Sequence, residues 1–284
     1  MLLELFRVKQ WYKNLVIFLP LIFAKEFFNE TALLYTIIGF FALCLISSSN
    51  YIINDIKDRE KDKKNIEKKL RPIASGKIKV WLGLILSILA LILGLIIALK
   101  LSFMFTILGI ALFLLSQLYT FKLKDEAFAD ILIISTNFVI RTVAGAFVIT
   151  IGLKPYVAVS PWLILCPFFF ALFLAVIKRR SESFIKKSIA HRPVLKIYNE
   201  KTTSALMTIS TTLLIASYSL YTFFSPYFFL FLTIPFVLYI IFQLFHLTEK
   251  GDKTVRHLEL IYKNFRIVIP SLIIIIIVFF SIYL

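Results

Sequence analysis

S-S-S-N-Y-I-I-N-D-I-K-D-R-E-K-D-K-K-N-I-E-K-K-L-R-P-I-A-S-G, Ser47 to Gly76, carries an apolar helix into a dense run of charge. A helix turns ~100° per residue, so Asp55, Asp58 and Asp62 are expected within an arc of roughly 60°. Lys57, Lys61 and Lys64 then point to the opposite side. A solvated charge run has no reason to sort its signs by face. A divalent-cation site does: Mg²⁺ takes one or two protein carboxylates and fills its other positions with water and phosphate oxygens. Asn50 and Asn54 lie just upstream, where an amide orients a phosphate or a water. The alternative is an amphipathic juxtamembrane helix of mixed charge.

Outward from this stretch the chain is apolar. It has 284 residues, is 60% hydrophobic and has a mean hydropathy of +0.90, against an apolar share near one half in soluble domains. A span needs ~20 apolar residues. Nine such segments are expected, near 14–30, 31–56, 80–99, 102–121, 127–150, 156–178, 203–224, 226–246 and 265–284. At that length in lipid only helices satisfy their own backbone. Strand-like alternation is absent, so the expected fold class is all-α: a polytopic, single-domain helical bundle.

The net charge of +16 would suit nucleic acid, but its distribution argues against such a partner. The N-terminus and the loops after spans 2, 4, 6 and 8 (about 57–79, 121–127, 179–203 and 247–264), counted with Lys178 and Arg266 at their edges, hold 28 of the 32 Lys and Arg. The opposite loops hold Lys25, Lys100 and Lys154. The positive-inside rule places the N-terminus in the cytoplasm and, with nine spans, the C-terminus outside a cell membrane. The basic side meets anionic membrane lipids, and a phosphorylated substrate would arrive there. Cys44 and Cys166 sit in apolar spans and read as small buried residues. The first apolar stretch has no small-residue cleavage site after it and reads as an anchor.

Several polar residues stand out against this background. Arg7, Lys9 and Lys13 precede the first span. They read as topology determinants, or else Lys9, Lys13 and Asn14 reach a phosphate at the cytoplasmic mouth. Tyr119 and Lys122 belong to a second polar cluster at the end of span 4. Asp130 and Arg141 lie three turns apart on one face of span 5. An intramembrane arginine costs ~2.5–3.5 kcal/mol even on the lenient insertion scale. It therefore faces protein, water or an anion, and a structural ion pair with another helix is the plainer reading. Lys178 and Arg179, at the end of span 6, are the basic residues of their loop nearest the mouth. Asp252 and Glu259 have no evident partner. His191, His246 and His257 lack metal-ligand spacing.

No P-loop, Ser-His-Asp set or cysteine cluster accompanies these residues. Carboxylates, cations and a buried arginine at one end of a bundle suit a metal-bound diphosphate leaving group, with the lipid chain between helices. A transporter is the competing class, but transporters tend to place paired broken helices at the midplane, whereas these polar groups gather at one surface.

N-D-x-x-D-x-x-x-D at Asn54–Asp62, followed by R-P-I-A-S-G at Arg71–Gly76, resembles the first aspartate motif of the UbiA superfamily of intramembrane prenyltransferases. R-V-K-Q-W-Y-K-N (Arg7–Asn14), Y-T-F-K-L-K (Tyr119–Lys124), the Asp130–Gly145 pattern and K-R-R-S-E (Lys178–Glu182) are similar to its decaprenyl-phosphate phosphoribosyltransferase branch. The resemblance covers residues 7 to roughly 200. It implies a nine-helix fold with a cytoplasm-facing central cavity. It also implies Mg²⁺-dependent transfer of a 5-phosphoribosyl group from phosphoribosyl diphosphate to a polyprenyl phosphate lipid. Asp55, Asp58 and Asp62 would hold metal and diphosphate. Asn54, Lys9, Arg71, Lys122, Arg141, Lys178 and Arg179 would contact phosphate. The runner-up within the fold moves a prenyl group from prenyl diphosphate to an aromatic or glycerol-phosphate acceptor. Two departures bear on acceptor fit and donor choice. Asn65-Ile66 replaces the usual H-P, and Gly251-Asp252-Lys253-Thr254 with Glu259 replaces the Pro-Thr and later Asp of the last loop.

Overall fold

The computed structural model describes residues 1–65, 67–151, 159–184 and 193–284. Ile66, Lys154, Lys186, Lys187, His191 and Arg192 lie outside them, as does the start of the sixth expected span. Among the described residues regular structure is helical, with no strand. Eight helices among them are long and apolar enough to cross a membrane. They are α1 (Glu30–Lys57), α2 (Val80–Leu101), α3 (Phe103–Phe121), α4 (Ala129–Ile149), α5 (Trp162–Ser183), α6 (Glu200–Phe224), α7 (Ile234–Glu249, extended upstream by a 3-10 turn at Phe228–Thr233) and α8 (Phe265–Tyr283). The chain divides into two compact units, Met1–Val159 and Ser160–Leu284.

In the first unit α1 is the central helix, packed against α2, α3, α4 and the N-terminal segment. It starts at Asn29, whose side-chain oxygen accepts from the Thr31 and Ala32 amides, satisfying donors that a helix start leaves open. Small residues let α2 close on it. A Cβ at Gly94 would lie 3.0 Å from the Ala42 carbonyl oxygen, and the Ser49 and Ser87 hydroxyls meet at 2.9 Å. Close approach through small and hydroxyl side chains is how helices associate where lipid is as apolar as leucine. The other face of α2 exposes Leu89, Leu93 and Ile96, as a lipid-facing surface does.

The expected first span, 14–30, takes a different form. Val8–Phe18 is a 3-10 helix, followed by a short α-helix at Leu19–Phe23 that ends at Lys25 in the left-handed region. A 3-10 helix has 3.0 residues per turn, so positions three apart stack in line. Trp11, Asn14 and Ile17 form such a line, and all three meet α1 or α4. An α-helical pitch would rotate one of them away. Ile17 rests on Gly145 of α4, where a Cβ would come within 2.2 Å of the Ile17 carbonyl oxygen.

α1 covers its expected span but does not carry on through Asp58 and Asp62 as the acidic arc requires. At Asp58 the backbone moves to φ −92°, ψ 5°, and a new six-residue helix runs Arg59–Lys64. In the second unit α5 packs on α6, and α7 on α8.

Candidate active site

The end of α1 and the chain that returns to it build the charged cluster of the first unit. Asp55 is 2% exposed and Asp62 3% exposed. Asp55 Oδ1 accepts from Arg71 Nη1 at 2.9 Å, and Asp62 Oδ2 accepts from the same nitrogen at 2.7 Å. Arg7 Nη2 also donates to Asp55 Oδ1. Arg71 lies among the turns of residues 67–79, where Pro72 cannot continue a helix and Gly76 turns with φ +77°. Burial raises the carboxyl pKa of Asp62 against the opposing pull of Arg71. Burial, reinforced by the nearby Arg7 charge, lowers that of Arg71.

Asp58 does not join this pair as the arc predicted. The break in α1 falls on it, and its carboxylate takes Lys124, from the turn after α3. Among the described residues no group of three His, Cys, Asp or Glu side chains gathers in metal-holding geometry. The acidic centre is a pair sharing one cation. That still fits a divalent ion: two buried carboxylates reach a common positive partner, and Mg²⁺ asks the protein for only one or two.

Beneath this centre lies a second network, in which a cation meets neutral acceptors. Arg141, 6% exposed, donates through Nε to Asn14 Oδ1 at 2.7 Å and through Nη1 to the Asn137 carbonyl at 2.9 Å. Asn14 in turn meets Cys44 Sγ at 3.2 Å and the Ser47 hydroxyl at 3.3 Å. No carboxylate among the described residues forms an ion pair with Arg141, so the plainer expectation of a structural ion pair fails there. Asp130 is fully buried on the same helix and engaged elsewhere. Asn50 accepts from Gln117 of α3, while its own Nδ2 is buried without a partner, as is Asn137 Oδ1. Buried polar atoms left open are uncommon and costly. Asn54 receives the Thr120 hydroxyl at 3.5 Å.

Other expected residues fare differently. Lys13 lies 5.9 Å from the Tyr51 ring centroid. Lys9 and Lys122 are exposed, and it is Lys124, two residues beyond Lys122, that reaches an aspartate. Tyr119 is half-buried. In the second unit Arg179 pairs with Glu182 at 2.7 Å and Lys178 is half-buried. Arg180, not singled out by the sequence, is heavily bonded there. It is held by Thr203 and by Glu200 and Glu249 at 3.1 Å, and so ties α5 to α6 and α7. Asp252 and Glu259 do have partners: Asp252 caps the Thr254 amide at 2.7 Å and Glu259 meets His257 at 3.4 Å. Sequence reading took Arg7 for a topology determinant and passed over two amides, Gln117 and Asn137. The last two carried a signal, a lone amide inside an apolar span.

A helical membrane protein with paired acid and a buried, uncompensated cation in its first unit is the class that fold and site define. The sequence matches the UbiA prenyltransferase family over residues 15–264, and the chain belongs to that family. It is 31% identical to the decaprenyl-phosphate phosphoribosyltransferase of Mycolicibacterium smegmatis over 78% of this chain and 70% of that one. It is 37% identical to the Sinorhizobium fredii protein y4nM over 62% of this chain, but spans only a third of y4nM's length, 33%. A UbiA homolog from Archaeoglobus fulgidus, solved bound to GPP and Mg²⁺, matches with a TM-score of 0.66 over 98% of this chain and 97% of that one at 14% identity. That last likeness is one of fold.

Proposed function

We propose that this protein transfers a 5-phosphoribosyl group from phosphoribosyl diphosphate to a polyprenyl phosphate in a Mg²⁺-dependent reaction. The observation that carries the reading is the convergence of buried Asp55 and Asp62 on one cation, with Arg141 buried nearby and bonded, among the described residues, to neutral oxygens only. The first arrangement suits a metal-bound diphosphate. The second suits a phosphate that enters without its own counter-ion, because a buried guanidinium is poorly served by neutral acceptors alone. The named activity of the Mycolicibacterium relative supports the donor.

Asp55 and Asp62 would hold Mg²⁺, which when bound stabilises the negative charge gathering on the departing diphosphate. Asp58 would keep Lys124 facing the same mouth. Arg71, Arg141 and Asn14 would bind and orient donor phosphates. Asn50, Asn54, Lys9, Lys13, Tyr119, Lys122 and Asp130 complete the proposed substrate-binding set of the first unit. The bond from the ribose anomeric carbon to diphosphate breaks, and an oxygen of the lipid phosphate forms the new bond to that carbon. A phosphate monoester oxygen is already anionic at neutral pH, so no general base is needed. The cytoplasmic placement of the basic loops, the single-domain bundle and a membrane-crossing role for Val8–Phe23 belong to the same proposal. At ~2.0 Å per residue in the 3-10 run and ~1.5 Å in the α-turn, that segment reaches about 30 Å.

Membranes containing the protein, given labelled phosphoribosyl diphosphate and a polyprenyl phosphate, are expected to yield labelled lipid in Mg²⁺. Absence of labelled lipid while the same membranes consume a prenyl diphosphate would overturn the reading in favour of prenyl transfer.

A further inference from the structure

Arg7 has the marks of a functional side chain that the proposed mechanism does not yet use. Its backbone sits at φ 49°, ψ 48°, the left-handed region that a residue with a Cβ enters at a cost, and such strain concentrates at functional sites. That conformation joins the short helix Leu2–Leu5 to the 3-10 segment and aims the guanidinium at Asp55. The side chain also lies 5.2 Å from the Tyr51 ring centroid, and Lys13 lies 5.9 Å from the same centroid. Arg7 and Arg71 thus converge on Asp55, and Arg7 shares the Tyr51 ring with Lys13.

Asp55 offers one oxygen to both arginines. Two guanidinium groups this close repel each other, and a carboxylate between them makes the arrangement favourable. A bare divalent cation on Asp55 would take that carboxylate from the arginines and stand beside them as a further positive charge. A cation arriving with an anion resolves the conflict, because the released guanidinium groups then have phosphate oxygens to bind. We propose that Arg7 is a substrate-phosphate ligand held on Asp55 until metal-bound diphosphate displaces it, so that the site disfavours metal alone and favours metal with diphosphate. This rests on the metal-diphosphate reading of Asp55 and Asp62 given above.

Equilibrium dialysis of the full-length protein tests it, using labelled Mn²⁺ alone and labelled pyrophosphate at saturating Mg²⁺. Arg7→Gln is expected to bind bare Mn²⁺ several-fold more tightly than wild type and pyrophosphate about tenfold more weakly, the usual scale for one charge-assisted hydrogen bond. Arg7→Lys, which keeps the charge without the fork, is expected to fall between and decides the matter if Arg7→Gln does not fold. A merely structural arginine would weaken both probes or neither, and either result overturns the proposal. Wild-type protein that retains no pyrophosphate in Mg²⁺ would overturn the metal-diphosphate reading itself. Wild-type retention unchanged by both Arg7 substitutions would overturn only the role of Arg7.

Discussion

Asp55 and Arg141 respond to substitution in opposite ways. Asp55→Asn leaves Arg7 and Arg71 facing a neutral amide, so it is expected to lower stability by about 1–3 kcal/mol and to abolish turnover. Thermal melting beside the labelled-lipid assay reads both. Arg141→Met removes a buried charge that has no ionic partner among the described residues. Replacing buried ionic groups by apolar ones is often neutral or stabilising by about 1–4 kcal/mol, so its melting temperature is expected to hold or rise while the KM for phosphoribosyl diphosphate climbs at least tenfold. An unchanged KM would remove Arg141 from the site. Residues of this kind were legible in the sequence because charge inside an apolar segment is hard to explain otherwise. Arg7 was not: three cations before a first span look like topology signals, and only the left-handed turn at Arg7 separates it from Lys9.

The N-terminal segment is where reading by element ran out. Hydropathy marks it as apolar but does not report pitch, and the three-residue spacing of Trp11, Asn14 and Ile17 looks unremarkable until α1 and α4 stand on either side. Its seat on Gly145 leaves no room for a methyl group. Gly145→Ala is expected to cost about 1–3 kcal/mol by overpacking and to shift Asn14 off Arg141, seen as a lower melting temperature together with weaker donor binding. A variant that melts normally would mean the segment sits elsewhere. α1 shows the complementary failure. Its periodicity gave the acidic face, but it carries no signal of the break at Asp58, whose carboxylate takes Lys124 from the turn after α3. At the last loop, Asp252 is held below the ordinary carboxylate range, chiefly by hydrogen bonds from Thr254. A lowered folded-state value means its contribution is present at neutral pH and is lost as pH falls below the ordinary range toward the depressed value. Asp252→Ala should remove that cap and leave turnover intact.

At the scale of the whole molecule, hydropathy and charge carried most of the answer. Eight of nine expected spans appear as long helices because lipid leaves the backbone no other means of satisfying itself. The asymmetry of Lys and Arg predicts that a periplasmic-type phosphatase reporter fused after Lys100 is active and one fused after Glu67 is inactive. The reverse pattern would invert the topology and move the charged cluster away from a cytoplasmic donor. The most direct test of the central claim uses purified protein with phosphoribosyl diphosphate, a polyprenyl phosphate and Mg²⁺, counting phosphoribosyl lipid formed against pyrophosphate released. One lipid product per pyrophosphate, lost on chelation and lost in Asp55→Asn, is the predicted result. Equal turnover in Asp55→Asn, or turnover that survives removal of divalent metal, would contradict it.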